Sequence, residues 1–205
     1  GEWMAMQNIA LNNNEFENSP SIPQIYRDKL VEALQYKDPN YYIGVSCSCC
    51  FPDHAEKMRE LSGQDDEHMT FANIFVNSNY LKYKQTFLEE FKKYKIHLVA
   101  NENAKIEDLP FDVEKFYPVG FSAWVNNYDL IEEIKNSNES NKLFLFACGP
   151  FGNLLTHQLF DHNKENIYLD VGSTLNPWTQ SEGFKRDYYA YTQGETPYAT
   201  RECRW

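Results

Sequence analysis

The stretch from Lys142 to Trp178, KLFLFACGPFGNLLTHQLFDHNKENIYLDVGSTLNPW, restricts the fold more than any other part of the chain. It reads as strand, glycine turn, helix, strand, glycine turn, with both turns at the carboxyl ends of strands. Leu143 to Ala147 is a short apolar run suited to a buried parallel strand. Gly149 and Gly152 let the backbone turn tightly, and Pro150 suits the first turn of a helix. The helix from Phe151 to about Asp161 carries Leu154, Leu155, His157, Leu159 and Phe160. Ile167 to Val171 is the next strand, closing with Asp170 and Gly172-Ser173-Thr174. Ligands of open α/β sheets sit beyond the carboxyl ends of the strands, so the binding site is expected at these two turns.

The rest of the chain repeats the alternation. Glu2 to Leu11 reads as a short helix and Asn12 to Pro23 as a polar loop. Ile25 to Tyr36 has helical spacing, stopped by Pro39-Asn40, and Tyr41 to Ser46 is a strand. Pro52-Asp53 opens a helix to about Leu61, and Thr70 to Val76 is a short apolar stretch. Asn79, as a cap, opens a helix from Leu81 to Tyr94. Ile96 to Ala100 and Phe116 to Val119 are strands, with a helix from Trp124 to Asn136 after them. The tail from Gln180 to Trp205 is aromatic and lacks clear periodicity. Apolar strands alternating with helices, without hairpin signals, predict a single α/β domain over residues 1–205. Its mostly parallel sheet is flanked by helices in a Rossmann-like arrangement.

Composition narrows the class of partner. A chain of 205 residues is long enough for a substantial core, and 14 Tyr with 14 Phe argue against disorder. No apolar run approaches the roughly 20 residues of a membrane span. The net charge of −11 disfavours a surface that tracks nucleic acid, yet leaves room for a small phosphorylated ligand. The five cysteines, three of them in Cys47-Ser48-Cys49-Cys50, do not form a secreted disulfide framework. A reducing cytoplasm, bacterial or that of a virus-infected host, is the simpler setting. Cys47, Cys49, Cys50 and His54 are zinc-type donors, but structural zinc sites join two separated pairs and the sequence offers no second pair. Buried thiols at a strand end are the reading adopted. The acidic run Asp65 to His68 has metal-binding groups as well, and is read as a solvated charge run.

Several segments together resemble the GT-D class of glycosyltransferases. They are Gly1-Glu2-Trp3, Tyr41 to Val45, Ala72 to Tyr80, Leu98 to Ala100, Cys148-Gly149-Pro150-Phe151-Gly152-Asn153 and Tyr168-Leu169-Asp170-Val171-Gly172-Ser173. No single piece is diagnostic; their order and spacing carry the resemblance over most of the chain. Members of that class carry an acidic D-G-E element after a first strand. This sequence opens at Gly1-Glu2, so the domain is expected to lack that strand and the aspartate.

The resemblance implies transfer of a sugar from a nucleotide donor, a UDP-sugar first among them, to a hydroxyl of a glycan acceptor. Charge that develops on the departing diphosphate must be stabilised, and Mn²⁺ or Mg²⁺ held by carboxylate oxygen does this as a Lewis acid. Glu2 is the implied metal ligand; by residue type alone it is a first-turn glutamate on a helix dipole. Gly149, Gly152 and Asn153 offer backbone N–H groups to phosphate or ribose, although GPFGN is neither a Walker loop nor the dinucleotide fingerprint. A tight turn without ligand is the alternative. Asp170, with Gly172 and Ser173, orients the acceptor, contacts the nucleotide or acts as base; otherwise it caps the turn. Asn73 and Asn77 have amides that read a uracil edge or sugar hydroxyls. Arg186 and Tyr188 in the tail would fold over the donor, with arginine pairing to phosphate.

Three readings from other classes compete. A catalytically silent nucleotide- or sugar-binding domain would keep the strand-end glycines without a complete acidic pair. An oxidoreductase on a Rossmann-like sheet lacks its G-x-G-x-x-G fingerprint here, and a hydrolase built on Cys49 or Cys148 has no evident histidine partner in sequence.

Overall fold

A computed structural model describes residues 2, 6, 12–13, 16–17, 23–48 and 51–179. In chain order the elements are β1 (Asn12–Asn13), β2 (Phe16–Glu17), α1 (Gln24–Gln35), β3 (Ile43–Val45), α2 (Pro52–Ser62), β4 (Met69–Phe71) and α3 (Tyr80–Phe91). They continue with β5 (Ile96–Asn101), β6 (Val113–Val119), α4 (Ala123–Asn126), α5 (Leu130–Asn136), β7 (Leu143–Ala147), α6 (Pro150–His162), β8 (Ile167–Asp170) and α7 (Asn176–Thr179). The architecture is α/β, with parallel strands flanked by helices, as the alternation of patterns predicts. Two compact units are present. Residues 2, 6, 12–13, 16–17, 23–33 and 90–179 belong to one, and residues 34–48 and 51–89 to the other.

The first unit is built on a four-stranded sheet of order β6-β5-β7-β8, parallel throughout. Ile96 to Ala100 of β5 and Leu143 to Phe146 of β7 are buried without a break. A central parallel strand is covered on both faces, which is why these segments read as continuous apolar runs rather than alternating ones. On one face Val99, Tyr117, Phe144 and Phe146 meet Leu30 of α1, Trp124 of α4, Ile131 and Ile134 of α5, and Phe151, Leu154, Leu155 and Leu159 of α6. Each fully buried leucine or phenylalanine contributes about 1.5–3 kcal/mol before chain entropy is counted.

The connections fix where a ligand can sit. From β5 the chain steps outward to β6, then returns past β5 to β7 and continues in that direction to β8. Right-handed crossovers therefore place the helices after β6 and β7 on one and the same face, where α4, α5 and α6 are found. The direction of winding reverses between β5 and β7. At such a switch point the loops leaving the two carboxyl ends diverge and open a crevice.

In the second unit β3 and β4 pair in parallel, Ile43 opposite Met69 and Val45 opposite Phe71. Helix α2 starts at Pro52 and stops at Gly63, whose φ of 60° lets its N–H reach the Arg59 carbonyl (3.2 Å). The acidic run that follows is local structure, as its solvated reading has it. Asp65 Oδ1 accepts from the His68 backbone N–H (3.1 Å) and lies 2.7 Å from His68 Nδ1, and Asp66 pairs with Arg59 (2.9 Å).

Two expectations are corrected. The polar loop after Leu11 contains a small antiparallel ladder, Asn12 opposite Glu17 and Asn13 opposite Phe16. Asparagines are poor strand formers, so residue type conceals it. The helix expected from Trp124 to Asn136 is two, α4 and α5, parted at Asn127 (φ −120°, ψ 24°). Asn126 Nδ2 donates to the Phe121 carbonyl (2.9 Å) and Asn127 Oδ1 accepts the Gly120 N–H (3.2 Å). Such short amides divert backbone groups from a helical ladder. Of the N-terminal helix, Glu2 and Met6 are described and both are helical.

Candidate functional site

The end of β7 turns into α6 through Gly149, at φ 61° and ψ −144°, a backbone region that is essentially closed to residues with a side chain. Pro150 takes the first helical position, and the Gly152 N–H closes the turn on the Gly149 carbonyl (2.9 Å). One strand over, Asp170 lies opposite Phe146 and shares its face of the sheet. That register aims the carboxylate at the first turn of α6. A β-carbon on Gly152 would meet Asp170 Oδ2 at 2.9 Å and its carboxyl carbon at 3.0 Å. Gly152 is therefore needed for lack of bulk, so that the carboxylate can lie against the helix.

Both oxygens of Asp170 are held. Asn153 Nδ2 donates to Oδ2 (3.2 Å), and the Gly172 backbone N–H donates to Oδ1 (2.9 Å). Crowding by protein atoms removes water from the carboxylate and, with the negative charge of Glu2, raises its pKa from 3.8 to about 7; the Gly172 N–H opposes the rise. The residue keeps part of its surface exposed, so its proton can exchange with solvent. Burial and then the Asp170 charge push the neighbouring Cys148 thiol well above its ordinary value. A thiol so protonated is a poor nucleophile, which speaks against a hydrolase built on Cys148.

Glu2, from the start of the sequence, thus lies near enough for its charge to disfavour ionisation of Asp170. A carboxylate whose ionisation is disfavoured by a second negative charge suits a hard divalent cation, which would offset that charge. Among the described residues no three or more His, Cys, Asp or Glu side chains converge. Mg²⁺ commonly takes one or two carboxylates and completes its shell with phosphate oxygens and water, so Glu2 could hold an ion that arrives with a diphosphate. Cys47 is buried at the end of β3, and Cys49 and Cys50 lie outside the described residues.

The other candidates are distributed as follows. Gly172 (φ 52°) is exposed beyond β8, and the Ser173 carbonyl accepts the Asn176 N–H (3.2 Å) at the start of α7. Asn73 and Asn77 belong to the second unit. The Asn73 carbonyl accepts from the Val76 N–H (3.2 Å) and from Asn79 Nδ2 (3.3 Å), and Asn77 at φ 53° heads a 3-10 turn. Asparagine tolerates that left-handed conformation, which accounts for its place there. Asn79, expected as a cap, spends its amide on this turn. Arg186 and Tyr188 lie outside the described residues. The loop Gly120-Phe121-Ser122, after β6, also emerges on the carboxyl edge of the sheet, and the sequence reading passes over it. Its one signal is a glycine directly after a strand.

No helix among the described residues is long and apolar enough to cross a membrane. No protein-family model, curated protein or solved structure matches the chain.

Proposed function

We propose that the carboxyl edge of the four-stranded sheet binds a nucleotide-sugar, a UDP-sugar in the first instance, and transfers its sugar to a hydroxyl of a glycan acceptor with the help of Mn²⁺ or Mg²⁺. The observation that carries this reading is the Asp170 carboxylate at the end of β8, lying against the Gly149–Asn153 turn and within the influence of the Glu2 charge.

Each group has a distinct task. Glu2 supplies carboxylate oxygen to the cation, whose chemistry when bound is Lewis-acid stabilisation of the departing diphosphate. The backbone N–H groups at the start of α6, a helix of 13 residues, face a phosphate with the positive end of the helix dipole. Asp170 accepts the proton of the acceptor hydroxyl as the acceptor oxygen bonds to the anomeric carbon and the bond to the diphosphate breaks. Its burial suits that task, because a carboxylate stripped of water holds the proton firmly once taken. Asn153 and the Gly172 N–H keep its oxygens in place meanwhile.

Titration calorimetry with UDP, with and without Mn²⁺, tests the reading. Metal-enhanced binding that is lost in Glu2→Gln is the expected result. UDP binding that ignores both the metal and Glu2 would remove the metal-assisted mechanism.

A further inference from the structure

We infer that Phe121 is a nucleobase platform, the residue on which the ring of the bound nucleotide stacks. This rests on the reading of the sheet edge as a nucleotide-sugar site, and adds a residue that neither the resemblance nor the sequence motifs single out.

Position is the first argument. Phe121 follows β6 by two residues, so it leaves the same carboxyl edge as Gly149 after β7 and Gly172 after β8. In the order β6-β5-β7-β8 the end of β6 lies two strands from β7, roughly 10 Å at the usual strand spacing. The switch point between β5 and β7 falls inside that interval. A nucleoside diphosphate laid along the edge, with its phosphates at the Gly149 turn, carries its base across the crevice towards β6.

The second argument is that the ring is presented rather than merely left over. Phe121 is 57% exposed, while Val119, Ala123 and Trp124 around it are buried. Among the described residues it has no aromatic neighbour. Its backbone is nevertheless held tightly. The Asn126 amide donates to its carbonyl (2.9 Å), and the preceding Gly120 N–H donates to Asn127 Oδ1 (3.2 Å). The Ser122 carbonyl accepts from both Val125 (2.9 Å) and Asn126 (3.0 Å). Ser122 itself sits at φ 50°, a left-handed conformation that costs a serine energy and persists because the surroundings impose it. Trp124, 4% exposed, anchors the short helix in the core. The same two asparagines that break the expected helix thus fix a bare aromatic ring at the ligand edge. Stacking on a pre-set ring is favourable for any base and costs little further ordering.

Calorimetry with two probes, UDP and inorganic pyrophosphate, tests the assignment in the presence of Mn²⁺. Phe121→Ala is expected to weaken UDP about tenfold, leave pyrophosphate unchanged, and regain UDP affinity as Phe121→Trp. Equal UDP affinity in wild type and Phe121→Ala overturns the platform and leaves the site reading standing. Equal weakening of both probes overturns it as well, since it marks a structural role for the ring. Failure of the wild type to bind UDP removes the site reading, and the platform with it. Thermal unfolding of each variant separates loss of binding from loss of fold.

Discussion

Gly152 and Asp170 stand so close that a single β-carbon on the glycine would lie 2.9 Å from the aspartate's Oδ2. In an ordinary helix Gly→Ala gains about 1 kcal/mol. Here the added methyl forces the carboxylate off the first turn of α6 and away from Asn153. Gly152→Ala is therefore expected to unfold within a few degrees of wild type, with the Asp170 carboxyl released towards water and its pKa falling from about 7 towards the ordinary 3.8. Carbon-detected NMR titration of the aspartate carboxyls reads this directly. An Asp170 titration that stays in place would show that the turn can absorb the methyl elsewhere.

The raised pKa of Asp170 also sets a sign for stability. Between about 4 and 7 the folded protein holds a proton that the unfolded chain has released, so this group's contribution is full at low pH and is lost as pH rises through that window. Asp170→Asn carries no such term. Relative to that variant, the wild type should lose stability between pH 4.5 and 7.5 by about 1–3 kcal/mol, a range discounted for the solvent that reaches this part-exposed residue. Denaturant unfolding of the two proteins at both pH values checks it, and parallel pH profiles would contradict it.

Glu2 contributes to the same titration by its charge. Glu2→Gln should lower the Asp170 pKa while leaving near-wild-type unfolding, because burial, the larger cause, remains. In the proposed enzyme the same substitution abolishes transfer. Sugar transfer from a UDP-sugar at the wild-type rate by Glu2→Gln would take Glu2 out of the mechanism, whatever its effect on Asp170.

How much of this the sequence discloses depends on whether a residue's role is local. The strand Leu143 to Ala147 is read to the residue, because a central parallel strand must be apolar on both faces and its run is bounded by glycine. Gly149 is legible for a similar reason, as a turn into a helix marked by Pro150. The relationship of Gly152 to Asp170 is not local: it depends on the register between β7 and β8, which no short window contains. Asn126 and Asn127 show the opposite failure. By spacing they continue a helix from Trp124, yet their amides satisfy the loop before it, and the helix ends in favour of that loop. Asn73 and Asn77 read by residue type as ligand-binding amides, but asparagine also suits turns, and the left-handed backbone at Asn77 belongs to a turn.

At the opposite, amino end of the sheet, His97 gives a pH dependence of opposite sign. Its ring is buried between Phe144 and Tyr117, Nε2 lies 3.3 Å from Glu114 Oε2, and Nδ1 has no hydrogen-bond partner. Desolvation lowers its pKa below 6.5, outweighing Glu114 and Glu139, while Lys142 adds to the lowering. The unfolded chain then binds the proton more readily, so stability is full above pH 6.5 and is lost as pH falls through the depressed folded value. His97→Leu removes the orphaned nitrogen and leaves Glu114 paired with Lys142 (2.5 Å). The wild type should be destabilised relative to His97→Leu on going from pH 7.5 to 5. An unchanged difference between the two proteins would mean that the ring binds its proton as readily in the fold as in the unfolded chain.

In the second unit Gly44 tests the pairing of β3 with β4. Gly44 lies opposite Thr70, and the Ala72 N–H donates to the Val45 carbonyl (2.8 Å), which draws the chain after β4 against β3. A β-carbon at position 44 would stand 2.9 Å from the Ala72 α-carbon and 3.3 Å from its nitrogen, both backbone atoms that cannot rotate away. Relief requires the strands to part, and that strains a ladder of only three residue pairs. Gly44→Ala is therefore expected to cost about 1–3 kcal/mol, the usual range for an overpacked interior. Gly152→Ala, whose clash is with the end of a side chain, should cost less. Chemical denaturation of the two variants side by side makes the comparison. A Gly44→Ala protein as stable as Gly152→Ala would show that β3 and the chain after β4 are not held at the separation seen here.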